Sequence, residues 1–428
     1  MNISWEGLFK NKMKILIVST DYNSGGAGRA AYRLHKALLS QGVDSLMLTY
    51  QKSDDKTVIG FKTKKDKLIA KISQTLDNIS LIFYKNRTKT PFSPALLCIS
   101  DIRYKIKEIK PDIIHLHWIC GGMINIADIG KLESNVVWNF QDMWPFTGGC
   151  HYDEDCGKYQ NICEDCKVLK SGKKRDLSRR VFKKKITSFS KIKSLTAIGV
   201  SEWISECARK STLFKTRDVK TYPNCIDTDL FKKIDKNLAR DFFKIPKDKK
   251  VILFGAMNPL ADPRKGGKEL LDALNFINIE DAVFVIAGIN KPKILPKLKY
   301  QVYFIPPLRD EISLPLMYNT GDVMIVPSLQ ENLANSIIES LSCSVPVVAF
   351  DIGGNKDMID HMNNGYLAKA FDIRDLANGI EWILKNPDYN KLSINAREKA
   401  LKKFDSTVVA KQYIKLYKNI LRDKNDTF

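Results

Sequence analysis

The sequence predicts an α/β protein made of two parallel-sheet halves, and three observations carry that expectation. Short apolar runs rich in Val, Ile and Phe alternate with stretches whose apolar residues recur at helical spacing. The alternation comes in two series, separated around 222–231, where Pro223-Asn224 marks a turn. The chain has 428 residues with 44% hydrophobic content, which suits two domains of about 200 residues, each with its own core.

The first series opens with the strand KILIVS at 14–19, then a turn containing Gly25-Gly26. A helix follows, with Ala27, Ala30, Ala31, Leu34 and Leu38 on one face and Gly42 as its stop. Further strands are expected at 45–48, 113–117, 136–140 and 196–200. The second series contains VILFG at 251–255, VFVIAG at 283–288, VYFIP at 302–306, VMIVP at 323–327 and VPVVAF at 345–350. Strands buried on both faces of a parallel sheet read as such continuous apolar runs. Two Rossmann-like halves are therefore expected at 13–222 and 232–403. An amphipathic helix at 407–424 carries Val408, Tyr413, Leu416 and Ile420.

Charge and composition narrow the function. Lys and Arg number 69 against 48 Asp and Glu, a net +21, which calls for an anionic partner. The apolar and aromatic content excludes a disordered chain. No apolar stretch approaches the roughly 18 residues of a membrane span. Residues 1–12 lack the apolar core of an export signal, and Met13 is a candidate start. A cytoplasmic location with reduced thiols is expected. The segment 61–87 spaces Leu68, Ile72, Leu76, Ile79 and Phe83 at helical intervals among lysines. It reads first as a surface helix covering the first sheet, and second as a helix lying on an anionic membrane. Residues 167–193 hold 12 Lys and Arg against Asp176 alone, which is +11 of the total.

Two motifs of the second half suit phosphate and sugar chemistry. Glu331 and Glu339, with seven residues between them in QENLANSIIE, sit in a turn after a strand and on the helix that follows. Two carboxylates so placed can each grip a pair of vicinal hydroxyls, and the helix N-terminus between them offers N–H groups to an anion. Arg264-Lys265-Gly266-Gly267 before a helix provides fixed cations and a close backbone approach, as a diphosphate requires.

With these come the Gly25-Gly26 loop, PDIIHLHW at 111–118, QDMWPFTGGCHY at 141–152, VSEWI at 200–204, YPNCIDTDLF at 222–231, GGNKDMI at 353–359 and NNGYLA at 363–368. This ordered set, from Met13 onward, resembles family 4 of the retaining glycosyltransferases, two-domain enzymes of the GT-B fold. The resemblance implies two Rossmann-like domains facing across a cleft, with the C-terminal helix returning to the first. It implies a hexose-type sugar moved from a nucleotide-diphosphate sugar to an oligosaccharide or lipid-linked acceptor, in bacterial surface-polysaccharide synthesis. Glu339 matches the glutamate on the donor ribose. Glu331 matches the one near the donor sugar, with the backbone of Asn332, Leu333, Ala334 and Asn335 beside it. Lys265, with Arg264, matches the cationic site for the leaving diphosphate. Gly25 and Gly26 match the first-domain loop near the donor phosphate.

Three departures from the family are visible. The arginine that often precedes the lysine by five or six residues is replaced by Leu260 and Pro259. The family histidine before the aspartate of its HD motif is Gln141 here, followed by Asp142, and a glutamine cannot accept a proton. Asn224-Cys225 replaces an Asn-Gly at the hinge. His117, at the end of a parallel strand, points toward where ligands bind such sheets and is assigned to the acceptor, while His115 reads as a packed core histidine.

The last cluster is Cys150, Cys156, Cys163 and Cys166, spaced C-x5-C-x6-C-x2-C beside His151. It fits a structural zinc site, with reduced thiols or disulfides as alternatives. No catalytic metal is expected, since protein cations serve the diphosphate. Two other readings compete: a GT-B sugar-nucleotide epimerase or dinucleotide oxidoreductase, and a nucleic-acid-binding protein using the cysteines and the basic run. SGGAGRA at 24–30 fits the dinucleotide motif poorly. The basic run is assigned instead to an anionic surface on the inner face of the plasma membrane, with no nucleic-acid partner.

Overall fold

The computed structural model describes residues 13–99, 101–256, 259–291, 298–308, 310 and 312–425. The chain divides into two compact units. One runs to Tyr222 and resumes at Ala410; the other spans Pro223–Val409.

Among the described residues, seven strands form the sheet of the first unit: β1 (Lys14–Val18), β2 (Asp44–Leu48), β3 (Val58–Ile59), β4 (Ile113–Leu116), β5 (Asn135–Phe140), β6 (Leu195–Gly199) and β7 (Val219–Thr221). Their order is β3-β2-β1-β4-β5-β6-β7, all parallel. The second sheet contains β8 (Lys250–Gly255), β9 (Ala282–Ala287), β10 (Gln301–Ile305), β11 (Val323–Val326), β12 (Val347–Phe350) and β13 (Gly365–Ala368). Its order is β10-β9-β8-β11-β12-β13, again parallel. Every strand expected from the apolar runs is present. The additional ones, β3, β7 and β13, have two, three and four residues, too few for a periodic signal.

Both sheets are doubly wound. Strand order reverses between β1 and β4 in one unit and between β8 and β11 in the other. Loops leaving the carboxyl ends at such a reversal diverge to opposite faces and open a crevice.

The first core is aromatic. Trp138 contacts Phe140, Trp144 and Phe189, and Phe140 meets Phe214 edge-on at 4.9 Å. The C-terminal helix, Ser406–Asn425, supplies Tyr413 and Tyr417 to this unit. Tyr417 Oη lies 2.7 Å from His115 Nδ1, and Asn139 Nδ2 donates to Tyr413 Oη at 2.7 Å. In the second unit Arg397 donates to the carbonyls of Thr228, Phe231 and Ser342, tying the segment after the hinge to the helix Asn335–Ser342.

The 61–87 segment differs from its first expectation. Residues 64–78 are helical, started by Thr63 in a reciprocal capping box with Asp66, and Ile79–Phe83 continue as a 3-10 turn. The helix buries Ser73 and Asp77. Leu68, Ile72, Ile79 and Ile82 face solvent, and Phe83 is 87% exposed. The apolar stripe points away from the unit, where an ordinary covering helix would point it inward.

Candidate functional site

At the reversal in the second unit, β8 and β11 bring two distant turns together. A 3-10 turn, Pro263–Lys265, ends at Gly266 with φ +68°. A Cβ at Gly266 would lie 1.8 Å from the Pro327 carbonyl oxygen, so only glycine permits this approach. Leu329 N–H then donates to the Arg264 carbonyl at 2.8 Å, locking the turns to each other. The result is that Lys265 Nζ stands 3.1 Å from Glu331 Oε2, with Ser328 Oγ donating to the same oxygen at 3.4 Å. Both side chains retain solvent access. Arg264 takes a different role: its guanidinium holds Asp262 through two hydrogen bonds, at 2.7 and 3.1 Å. That pairing is the main cause of the depressed Asp262 carboxyl pKa. Lys265 is thus the cation presented beside Glu331.

Asn332, Leu333 and Ala334 are buried and lead into the helix Asn335–Ser342. Ala334 at its N-cap supplies no side-chain cap, and no acid stands in its first turn. Such a terminus carries partial positive charge suited to an anion. Glu339, one turn on, is buried and accepts a hydrogen bond from Tyr318 Oη at 2.5 Å. Asn335 Oδ1 accepts from Asn224 Nδ2 at 3.4 Å, so the hinge segment reaches the start of this helix.

The first unit arranges its reversal differently. Gly25 and Gly26 form the first residues of the helix Gly25–Ser40 rather than a separate loop. Gly25 has φ +67° with open space about its Cβ position, so conformation and not room demands glycine there. Gln51 pins the loop before it, donating to Asp21 Oδ1 and Ser24 Oγ at 2.8 Å each. His117 follows β4, its N–H bonded to the Val18 carbonyl. Its ring is buried, stands 4.6 Å from that of His115, and has no hydrogen-bond partner on either nitrogen among the described residues. Burial, and next the neighbouring His115, push its pKa well below the usual value, so the ring is neutral. His115 is the packed partner: Tyr417 and Asn139 occupy both its nitrogens, at 2.7 and 2.9 Å.

Asp142 reveals two residues the sequence did not single out. Its Oδ2 lies 2.6 Å from His151 Nδ1, and His151 Nε2 lies 2.9 Å from Ser93 Oγ. Trp118 Nε1 donates to the same Oδ2 at 3.1 Å, and Trp144 N–H to Oδ1 at 2.8 Å. A carboxylate on Nδ1 fixes the tautomer with its proton there, leaving Nε2 to accept from Ser93. Gln141, directly before Asp142, is half-buried. The imidazole bonded to Asp142 is that of His151, nine residues downstream. The only signal was the histidine in GGCHY, which resembled an adjunct of the cysteines.

Beneath this loop lies Lys185, from the basic run. It is fully buried, stands 3.7 Å from the centre of the Trp144 ring, and donates to the carbonyls of Trp144 and Thr147. Arg179 pairs with Glu164. The surface charge of 167–193 is correspondingly lower than its sequence count, although Lys183 and Lys184 on the same helix remain exposed. The four clustered cysteines line one small pocket, with Thr147, Asp153 and Tyr159 beside them. Among the described residues, no group of three or more His, Cys, Asp or Glu side chains is placed to hold a metal ion. No described helix is long and apolar enough to cross a membrane.

Comparison with known proteins places this geometry. Residues 235–400, which hold Arg264, Lys265, Glu331 and Glu339, match the family model for glycosyl transferases group 1. The chain has the GT-B fold. It superposes over 96% of its length on all of a sucrose-phosphate synthase from Thermosynechococcus elongatus, with TM-score 0.66 and 18% identity. Anabaena HepE, solved with UDP and glucose, matches 95% of the chain and all of its own, with TM-score 0.62 and 15% identity. Among curated relatives, D-inositol 3-phosphate glycosyltransferase 2 of Catenulispora acidiphila is 29% identical over 184 residues, 40% of this chain and 43% of that protein. The UDP-Gal:alpha-D-GlcNAc-diphosphoundecaprenol alpha-1,3-galactosyltransferase of Escherichia coli is 28% identical over 134 residues, 30% of this chain and 34% of that protein. The chain thus spans less than half the length of these two relatives.

Proposed function

We propose that this GT-B chain is a retaining glycosyltransferase that takes a hexose-type sugar from a nucleotide-diphosphate donor and passes it to a lipid-linked glycan acceptor in bacterial surface-polysaccharide synthesis. The observation that carries the reading is the Lys265–Glu331 pair at the reversal of the second sheet, just before the helix that carries the buried Glu339 on its second turn. Lys265 and the N-terminus of Asn335–Ser342 are placed to stabilise the charge that develops on the departing diphosphate. A donor phosphate competes with Glu331 for Lys265, which frees the carboxylate for sugar hydroxyls. Glu339, already oriented by Tyr318, suits the ribose hydroxyl pair. Protein cations supply the leaving-group charge balance, so the scheme needs no catalytic metal. In the first unit the neutral His117 is the residue assigned to the acceptor, because two unsatisfied buried nitrogens favour a hydroxyl that can bond to one of them.

The lipid-linked acceptor is supported by the E. coli relative, whose name specifies a diphosphoundecaprenol substrate. It is supported further by the outward apolar ridge of 64–83. Leu68, Ile72, Ile79, Ile82 and Phe83 project from a segment flanked by Lys64, Lys65, Lys67 and Lys71. That combination fits the interface of an anionic bilayer, on the cytoplasmic leaflet.

A donor panel of nucleotide sugars, with mass-spectrometric readout of hydrolysis and transfer, tests the reading. One nucleoside diphosphate should be released slowly, and release should collapse in Glu339→Ala. Equal turnover in that variant would remove the assigned site.

A further inference from the structure

The Asp142–His151–Ser93 chain starts inside the first unit and ends on a residue with access to solvent. Asp142 and His151 are buried, whereas Ser93 and Trp118 are half-buried. Counting hydrogens fixes the sense of every bond. Asp142 receives three donors: Trp144 N–H on Oδ1, and Trp118 Nε1 and His151 Nδ1 on Oδ2. With the His151 proton on Nδ1, Nε2 accepts. The Ser93 hydroxyl, 2.9 Å away, therefore gives its one proton to His151. What it keeps is two lone pairs. The buried Cys120 thiol lies against the same oxygen and can use one of them. The other is left for a ligand. Ser93 is thus an acceptor-only hydroxyl: it can take an O–H or N–H and cannot bind a phosphate or carboxylate oxygen.

The backbone holds this hydroxyl in place. Ser93 N–H donates to the Gly149 carbonyl at 2.8 Å, and its own carbonyl accepts from Trp144 Nε1 at 2.7 Å. A Cβ at Gly149, which has φ +121°, would lie 2.6 Å from the Phe92 ring, so glycine lets the loop of Asp142 and His151 close on the segment of Ser93. Trp118 is held as firmly. Its carbonyl accepts from Thr20 N–H at 2.8 Å, and its ring lies 5.7 Å from that of His151. Asp142 uses its one polar atom, so the indole can present only its apolar ring to a ligand. An aromatic face is electron-rich and attracts the polarised C–H groups of a sugar ring. Both residues belong to the carboxyl-end side of β4 and β5, where the reversal opens its crevice.

We propose that Trp118 and Ser93 form a subsite for one pyranose ring of the glycan acceptor. Trp118 packs on the ring, and Ser93 accepts a hydrogen bond from one of its hydroxyls. Asp142 and His151 are positioning residues that set the direction of that bond. That the sugar is the acceptor rests on the transferase reading above. That the subsite takes a pyranose rests on these residues alone.

The test measures binding to the full chain without donor, so turnover does not enter. Saturation-transfer NMR is run with the octyl glycosides of glucose, galactose, mannose and N-acetylglucosamine. At least one should bind through its ring C–H protons. Trp118→Leu should weaken it about tenfold, and Trp118→Phe, which keeps an aromatic face, less. Ser93→Ala should weaken it about 5–10-fold, the worth of one hydrogen bond, and Ser93→Thr should restore most of the loss. One mono-deoxy analogue of the bound glycoside should bind the wild type as weakly as the parent binds Ser93→Ala, and that variant should bind the two alike. The proposal is overturned if no glycoside binds the wild type. It is equally overturned if Ser93→Ala weakens the parent and every deoxy analogue by one common factor, which is the mark of a structural role. Donor hydrolysis without glycoside binding removes this subsite and leaves the transferase reading standing; glycoside binding without donor hydrolysis does the reverse.

Discussion

The two sheet reversals share a topology and differ in chemistry. The one in the second unit is charged and partly open: Lys265 and a largely covered Glu331 form an ion pair, beside a helix start with no side-chain cap. The one in the first unit is buried: the rings of His115 and His117 lie 4.6 Å apart, tilted, with Tyr413 and Tyr417 against His115, and Asp142 is spent on His151 and Trp118. An ion pair whose lysine keeps access to solvent can exchange partners with an incoming anion. A buried hydrogen-bonded network such as Asp142–His151–Ser93 resists exchange and fixes geometry, while His117 beside it keeps both ring nitrogens unpartnered among the described residues. The difference teaches that one reversal is built to be rearranged by its ligand and the other to hold position.

The largest effect expected from this contrast is at Lys265. Lys265→Ala should lower kcat about 10²–10³-fold with a smaller change in donor KM, as removal of a charge stabiliser does. Stability should change by less than about 1 kcal/mol, because the ion pair is accessible. Steady-state kinetics and a denaturant titration check both. A large stability loss with unaltered kcat would make the pair structural and dissolve the contrast. Next in size is Glu339→Gln, which keeps shape and removes charge. Donor KM should rise about 10–100-fold, the worth of a charged hydrogen-bond acceptor, with kcat less affected.

In the first unit the test is positional. His151→Gln cannot keep both the Asp142 and Ser93 bonds with the same geometry, and about 10-fold in kcat should be lost, with no change in donor KM. A donor-KM effect instead would place His151 in the wrong half of the reaction. A weaker surface effect is expected at the ridge. Leu68→Ser with Phe83→Ser should reduce binding to vesicles containing anionic lipid about 5–10-fold, leaving hydrolysis of soluble donor intact. Unchanged sedimentation with vesicles would reassign the ridge.

How much of this was legible in the sequence depends on distance along the chain. Strands such as VILFG at 251–255 declare themselves by local composition, and a whole series of them declares the topology. Lys265 and Glu331 were legible because each sits in its own strand–turn–helix context. Their contact was not, since it depends on Gly266 meeting Pro327 across 61 residues. The capture of Arg264 by Asp262 lay only two residues away in sequence, yet a cation in a basic turn reads as a free one. The Asp142–His151–Ser93 chain was hidden because Ser93 lies 58 residues before its partner in an irregular segment. The 61–87 helix shows a different limit. Helical spacing of Leu68, Ile72 and Ile79 is identical whether that face points in or out, and only the burial of Ser73 and Asp77 decides it.

The smallest expected effect separates the units by pH. His35 and His115, both in the first unit, are buried, and burial pushes their pKa values down to about 4. Ser45 and Thr57 hold His35, and Tyr417 and Asn139 hold His115, each as the neutral ring. In the unfolded chain both take a proton near pH 6.5. Between pH 6.5 and 4 the unfolded state therefore binds more protons, and the stability present above 6.5 is lost as the pH falls toward 4. Each histidine adds a slope approaching about 1.4 kcal/mol per pH unit in that window. The second unit contains His361, for which no such burial holds. Acid titration followed by hydrogen exchange should thus loosen β1, β4 and the Tyr417 helix before β8 and β11. His115→Gln, able to accept from Tyr417 and donate to Asn139, should reduce the first unit's pH slope, His35 keeping its share, without altering the second's. Simultaneous acid loss of both units would show that the buried histidines do not set the order.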